Sequence, residues 1–458
     1  MGDDSTTQSV LFAELFSKPL LAKFDRAEAS SDGGAILLKA CDRRLDLTAR
    51  LARCLTDVRQ AGKVSHAVVE LLRQRLFAIA CGYADGNDAA RLANDPVHKL
   101  LAGRDPLSGL ALASQPTLSR FENAVGRNDL YRLGETLAEA VIERHRRRLG
   151  RKVKRITIDL DPTDDPTHGA QQLSIFNGHY DSWCYLPVAG FLSFDDEAEQ
   201  YLFCYVLRPG NAAAGLGAIG ILRRVFAALR RAFPKARLRV RLDGGFASGA
   251  LFDFLESQRV EYLVAMAKNA VLERWAAPLM QRVQRRSART GSSEHDYGEC
   301  DYAARHWQRS RRVIIKAEVL RDPAHAPKDN PRFVVTNLRH RPQRLYEAIY
   351  CARGDVENRI KELHHGLEID RTSCTRFWAN QFRVLLTAAA YVLFQELRLR
   401  ARGTAFARAQ VGTLRERLLK LAVWIERSVR RIVFHLPNTA PDRDAWRRIA
   451  CSVGAVPT

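Results

Sequence analysis

TIDLDPTDDPTHG, Thr157 to Gly169, sets four aspartates (Asp159, Asp161, Asp164 and Asp165) within seven residues of a chain whose formal charge is +21. Along a strand, side chains alternate between faces, so Ile156, Ile158 and Leu160 share one face and Asp159 and Asp161 the other. Asp161-Pro162-Thr163 then ends the strand, which would hold a carboxylate rigidly at the mouth of a cleft. Asp164 and Asp165 follow Pro162 in an expected turn, where Asp and Thr commonly form Asx-turns. Asp161 is the first candidate ligand for a divalent cation, with Asp159 as the fallback.

Two further acidic positions share this character. In RVRLDGGF (239–246), Leu238, Val240 and Leu242 alternate with Arg237, Arg239 and Arg241, and Asp243 sits just past the strand. Gly244 and Gly245 allow a substrate backbone to approach closely; a plain Asp-Gly turn is the alternative. In YCARGDVENRIKE (350–362), helical spacing puts Tyr350, Arg353, Glu357, Lys361 and His364 on one stripe. Ile349, Val356, Ile360, Leu363 and Leu367 form another, about a quarter-turn away. Glu357 thus stands beside the buried face, flanked by cations suited to phosphate, although Arg353 and Glu357 could equally form a surface ion pair.

The order is an acid on a first strand, a second after a later strand, and a Glu on a late helix. It matches a ribonuclease-H-like site, in which two metal ions roughly 3.5–4 Å apart clamp the oxygens of an in-line phosphoryl displacement. Hard carboxylate oxygens suit Mg²⁺, with Mn²⁺ as a substitute. His168 and His179 are left out, because imidazole is a poor ligand for so hard an ion. The acids lie 82 and 114 residues apart, so the second gap has room for a strand-rich insertion at 268–340.

Outward from the sites, residues 1–150 read as mainly helical. HAVVELLRQRLFAIACGYA (66–84) has three- and four-residue apolar spacing. SQPTLSRFENAVG (114–126) has Ser114 as a cap, Pro116 in the first turn and Gly126 as the stop. Its polar first turns, with Gln115, Thr117, Ser119 and Arg120, fit either the reading helix of a helix-turn-helix unit or an ordinary bundle helix. ERHRRRLGRKVKR (143–155) carries eight Arg and Lys and one Glu, and reads as a phosphate-contacting connection.

Residues 151–267 then show three strands in a row (156–161, 183–194, 200–208) followed by alternating helices and strands (215–233, 236–243, 247–258, 261–267), the signature of a mixed sheet flanked by helices. The Arg- and Ser-rich QRVQRRSARTGSSEHD (281–296) is expected to interrupt that pattern before strands at 311–320 and 331–338. Residues 341–400 return to the core with a helix over 343–366, stopped by Gly366, and an apolar helix over 380–398. A basic C-terminal region, 401–458, is expected to hold a helix over 413–429 and a strand over 430–436. The fold class is therefore α/β: a ribonuclease-H-like mixed-sheet catalytic core with a strand-rich insertion, preceded by a mainly helical DNA-binding region.

Composition agrees. The 458 residues are 46% hydrophobic, enough for filled cores, and 72 Lys and Arg face 51 Asp and Glu. Such an excess points to a polyanion, most simply nucleic acid. Nine scattered cysteines with no Cys-x-x-Cys pair argue against both a disulfide framework and a zinc site. MGDDSTTQSVLFAELF is acidic and lacks the order of a signal peptide. VLLTAAAYVLF (384–394) is well short of the roughly 20 residues that span a bilayer. A cytoplasmic protein without a membrane partner is expected.

The sequence resembles the DDE transposases of bacterial insertion sequences, most closely the insertion-sequence 1380 family. DGGAILL, LRQRLFAIACGYADGND, TLSRFE, IDLDPTDDPTHG, YDSWCYLP, LDGGFASGALFDFLE and RGDVENRIKELHHGLEIDRTSC carry the likeness across nearly the whole chain. It implies a catalytic, metal-ligating triad of Asp161, Asp243 and Glu357 acting on the double-stranded DNA of transposon ends and target, in a homodimer on DNA. Tyr350, Arg353 and Glu357 match a signature of related enzymes whose last position is Lys. Here that position is His364, so either His364 or Lys361 would contact phosphate. Relatives with a strand-rich insertion can hold a flipped base on an aromatic residue; Trp307, beside Arg309, Arg311 and Arg312, is the candidate here. Two other classes remain open, a catalytically silent DNA-binding regulator and a nuclease of the same fold.

Overall fold

RITIDLDP does form a strand. β1, Arg155–Pro162, buries Ile156, Ile158 and Leu160 completely, each worth roughly 1.5–3 kcal/mol of apolar burial. The computed structural model describes residues 9–322 and 324–457, and β1 lies inside a nine-stranded mixed sheet. β2 (Val188–Phe194) and β3 (Tyr201–Val206) follow antiparallel on one side of β1. On its other side β4 (Arg237–Leu242) and then β5 (Glu261–Met266) run parallel to it. The strand expected over 183–194 is two, Ser182–Tyr185 and β2, broken at Leu186-Pro187. Pro187 has no N–H to give a ladder.

The strand-rich insertion extends the same sheet. β6 (Glu294–Tyr302), β7 (Arg311–Asp322), β8 (His325–Asp329) and β9 (Arg332–Thr336) add antiparallel beyond β5. The order across the sheet is β3-β2-β1-β4-β5-β9-β7-β6, with β8 beside β7. The Arg- and Ser-rich stretch does not interrupt as expected. Its first ten residues finish a helix, Ala270–Thr290, whose Leu279, Met280, Val283 and Ser287 are buried. Arginine is a good helix former, and here the apolar period outweighs the serines.

Before the sheet, helix α1 (Val68–Ala80), α2 (Gln115–Ala124) and α3 (Arg127–Leu149) form the helical region. α2 ends at Ala124, and Gly126 serves instead as the N-cap of α3. The basic run at 143–155 is also not a free connection. Its first half is the last two turns of α3, where Arg144 is buried and donates to the Val392 carbonyl and His145 stacks on Phe194. Arg148 pairs with Glu197, which leaves Arg147, Arg151, Lys152 and Lys154 exposed.

Helices α4 (Ala218–Ala232), α5 (Gly249–Ser257) and α6 (Ala270–Thr290) alternate with the strands. α7 (Asp355–Leu367) follows, and α8 (Phe377–Arg400), buried along most of its length, lies across the sheet edge. Gln381 and Gln395 of α8 replace a missing neighbour strand. The N–H groups of Leu207 and Leu202 donate to their Oε1 atoms, and their Nε2 groups donate to the carbonyls of Tyr205 and Gln200. The edge strand is thereby closed to pairing with another chain.

The helix expected over 413–429 ends at Leu419; Val423–Arg427 is a strand pairing with Ile432–His435 and with Ala29–Ser30. Val423 and Ile425 face inward and Trp424 outward, so a period of two wins over the helical one. Among the described residues no helix is long and apolar enough to cross a membrane. Met1–Gln8, half of the stretch read against a signal peptide, lie outside the described residues.

Candidate active site

The polar face of β1 meets matching charge on β4. Asp159 is adjacent to Arg241 in the parallel register, and the pair is bidentate, Nε to Oδ1 at 2.8 Å and Nη2 to Oδ2 at 2.7 Å. Both side chains are buried, and Arg241 also donates to the Ile349 carbonyl at 2.9 Å. Asp159 therefore serves the fold: it ties the sheet to the chain leading into α7. Two residues on, at the strand's open end, Asp161 reaches a cleft. Asp161, Asp164, Tyr180, Asp243, Arg353, Glu357, Lys361, His364, His365 and Asp370 all line that cleft, whose volume is about 540 Å³.

Three different elements supply the three acids. Asp161 ends β1. Asp243 follows β4 and accepts the Gly245 N–H at 2.9 Å, shaping a tight turn before the helix Gly249–Ser257. A Cβ on Gly245 would lie 2.6 Å from that of Ala214, so a glycine is required there. Glu357 stands exposed in the first turn of α7. Five residues later Glu362 points the opposite way, buried against Arg398 Nη1 at 2.8 Å, the Tyr391 hydroxyl at 2.7 Å and the Val411 N–H at 2.8 Å. That anchor fixes which face of α7 looks into the cleft.

The expected continuous helix over 343–366 is broken in pitch. Leu345–Tyr350 is a π-helical turn and Cys351–Gly354 a 3₁₀ turn before α7 begins. Such irregular turns concentrate at functional sites. Gly366 does not stop the helix: it lies in the last turn, where a Cβ would approach Val411 to 3.1 Å, and Glu368 in the left-handed region makes the C-cap.

Arg353 donates from Nη2 to Asp161 Oδ1 at 2.5 Å, and its buried Nε has no partner among the described residues. Burial pushes the Asp161 carboxyl up to about 7; Arg353 pulls it down, and Asp243, Glu357 and Asp159 add to the rise. His364 Nδ1 lies 3.1 Å from Asp370 Oδ2, while its Nε2 has no partner among the described residues. Tyr350 is half-buried, packed on Tyr346, with its hydroxyl pushed up by burial, against the opposing pull of Arg353. Tyr180, His365 and Asp370 join the cleft without having been singled out from the sequence, although all three fall within motifs quoted above, and Asp164, expected only in a turn, joins it too.

Two candidates lie elsewhere. Trp307 is half-buried among Phe252, Tyr302 and the Arg311 guanidinium, and does not line the cleft. Arg120 is exposed on α2 and donates to the Thr117 hydroxyl at 3.3 Å. Several quoted motifs prove structural. Arg75 of the first helical motif forms a buried pair with Glu122 of TLSRFE at 2.5 Å, and Arg383 approaches the same carboxylate at 3.5 Å.

Among the described residues one cluster puts three ligand atoms within 4.8 Å of one another: Asp32, Cys81 and His98, all buried. It could coordinate a metal ion, a grouping that cysteine spacing gave no sign of. Its charge is already met, however. Asp32 lies 2.7 Å from the Lys420 ammonium and 2.9 Å from His98 Nε2. The acids of the cleft are spaced more widely than this, with Asp161 held by Arg353.

A family model described as Transposase DDE domain group 1 matches residues 12–457. The chain belongs to this family. No curated protein matches it. Membership accounts for the mixed-sheet core with a helical region before it, implies DNA as partner, and gives catalytic potential to a fold that carries candidate metal ligands.

Proposed function

We propose that the chain is a DNA transposase close to the insertion-sequence 1380 family. It would bind the inverted-repeat ends of its element, cut there, and join the freed end to target DNA by a DDE mechanism. One observation carries this: carboxylates from the end of β1, the turn after β4 and the first turn of α7 line one cleft beside Arg353, Lys361 and His364. The strand order β3-β2-β1-β4-β5, three antiparallel strands and then two parallel ones, supports a ribonuclease-H-like core. Residues 1–150 would then grip DNA, with Arg120 on a reading helix, and two copies would pair two ends. A cytoplasmic setting fits that role.

The donor set suits two Mg²⁺ ions, or Mn²⁺ in their place. All three groups are hard oxygen donors. Burial first, with the neighbouring acids adding to it, raises the Asp161 carboxyl to about 7, so a cation bound there would compete with a proton. Bound there, the ions would activate the attacking hydroxyl and stabilise charge on the phosphorus oxygens. The chain's own residues do the rest. Asp161, Asp243 and Glu357 would hold the ions. Arg353 and Lys361 offer charge to backbone phosphates, and His364, oriented by Asp370, offers Nε2 for the same purpose. Tyr350 does not line the cleft; packed on Tyr346, it supports the irregular turns that carry Arg353.

The test is a duplex bearing the element's own ends, incubated with the protein in Mg²⁺ and separately in chelator. Binding in both, and cut and joined products only with Mg²⁺, is expected. An Asp243→Ala protein that cuts as fast as wild type ends the assignment. Cut ends without joined products mean a nuclease, and binding without cutting means a silent regulator.

A further inference from the structure

Residues 10–24 form an arm that the rest of the fold does not absorb. Val10–Phe12 and Leu20–Ala22 pair as an antiparallel hairpin. Val10, Leu11, Phe12, Leu15, Phe16, Leu20, Leu21 and Phe24 are all exposed, Leu15 and Phe16 at the tip by 67% and 72%. None of the eight belongs to, or packs on, a core cluster among the described residues. Contiguous exposed apolar surface of this kind marks an interaction site. DNA is a poor occupant: residues 10–26 carry three basic and two acidic groups in a chain of +21, so the arm lacks the charge that phosphate binding needs.

A second unpartnered apolar surface lies elsewhere on the chain. A groove of about 490 Å³ runs between α3, β3, the helix Ala218–Ala232 and α8. Leu130, Phe203, Tyr205 and Ile221 line it, with Tyr131 and Trp378 exposed at its rim. The rim alternates in charge, Arg224 near Glu135 and Arg231 near Glu139. Glu14 and Lys18, which bracket the arm's tip, complement such a rim in a way a uniformly basic surface could not.

We propose that the arm of one copy docks in this groove of a second copy, with Leu15 and Phe16 as anchors, giving a dimer that forms without DNA. Reciprocal exchange about a twofold axis satisfies both surfaces at once and closes the assembly. Anchoring aromatic and aliphatic side chains in a pocket is how interfaces concentrate their affinity. The proposal does not depend on the catalytic reading, since no residue of the cleft takes part.

The test is sedimentation of the full chain, free of DNA, across nanomolar to micromolar concentration. Wild type should be dimeric in the micromolar range. Leu15→Asp with Phe16→Asp should raise the dissociation constant at least tenfold. Gly134→Phe should do the same from the other side: a Cβ at Gly134 meets nothing within 4 Å, so the ring fills the groove without straining α3. Melting curves that match wild type exclude misfolding as the cause. Mixing the two variants should restore dimer partly, because the mixed pair keeps one intact arm and one intact groove. A monomeric wild type, or a Gly134→Phe protein that dimerises as wild type does, overturns the proposal. So does a mixture with no more dimer than either variant alone.

Discussion

Arg353 Nη2 sits 2.5 Å from Asp161 Oδ1, linking the irregular turn before α7 to the end of β1. The guanidinium occupies the carboxylate that a metal ion would need. A cation bound there would compete with Arg353 for one group, and DNA phosphate would offer Arg353 another partner. Arg353→Ala is expected to bind Mn²⁺ about tenfold more tightly than wild type without DNA, a difference of about 1.4 kcal/mol. The same variant should cut DNA ends at least tenfold more slowly. Titration of bound Mn²⁺ by electron paramagnetic resonance checks the first point, and unchanged affinity would count against the competition.

Asp159 and Asp161 differ by two positions and by role. Asp159 has no exposed surface and is bidentate to the buried Arg241. Asp159→Ala leaves that guanidinium uncompensated, at an expected loss of roughly 3–5 kcal/mol in chemical denaturation. Asp161→Asn should stay within about 1 kcal/mol of wild-type stability yet abolish cleavage. The reverse pattern, with Asp159→Ala stable and inactive, would exchange the two assignments.

The strands were legible because alternation in RITIDLDP, ARLRVRLD and PRFVVTNL is undisturbed, and each lies within two residues of its expected span. The cleft was legible in its three acids and in Arg353, Lys361 and His364, because strand ends and helix stripes fix direction. What escaped depends on distant partners. Nothing local distinguishes Asp159 from Asp161 until Arg241 is placed beside one of them. Nothing near Glu122 shows that Arg75 will neutralise it inside the core. Val423–Arg427 follows a helical run directly, and the strand is favoured by pairing with Ile432–His435 and with Ala29–Ser30, the latter nearly 400 residues away. Arg144 and His145 read as part of a phosphate-contacting connection for the same reason: the carbonyl and ring that receive them belong to later elements.

Metal dependence should shift with pH. Asp161 is pushed up to about 7, first by burial, with the neighbouring acids adding to it. A proton therefore competes with metal below that value. The Mg²⁺ concentration giving half-maximal cleavage is expected to fall as pH rises from 6 to 8, by up to about tenfold per unit below pH 7 and little above it. Cleavage assays at several metal concentrations and pH values check this, and a requirement independent of pH would contradict it.

Asp165 offers a separate test, apart from the three proposed metal ligands. It is fully buried and accepts from the Thr372 hydroxyl at 3.0 Å through Oδ1, and its Oδ2 has no partner among the described residues. Burial pushes its carboxyl up to about 8, opposed by the Thr372 bond. An acid whose folded value is raised stabilises the fold fully below its unfolded value, near 4, and that contribution is lost as pH rises through about 8. Asp165→Asn keeps the acceptor for Thr372 and cannot ionise. Its stability relative to wild type should therefore grow between pH 5 and pH 8, by up to about 1.4 kcal/mol per unit, with the two proteins closest at the acid end. Paired urea denaturation across that range decides it: a constant difference would mean that Asp165 is already ionised in the folded chain at pH 5.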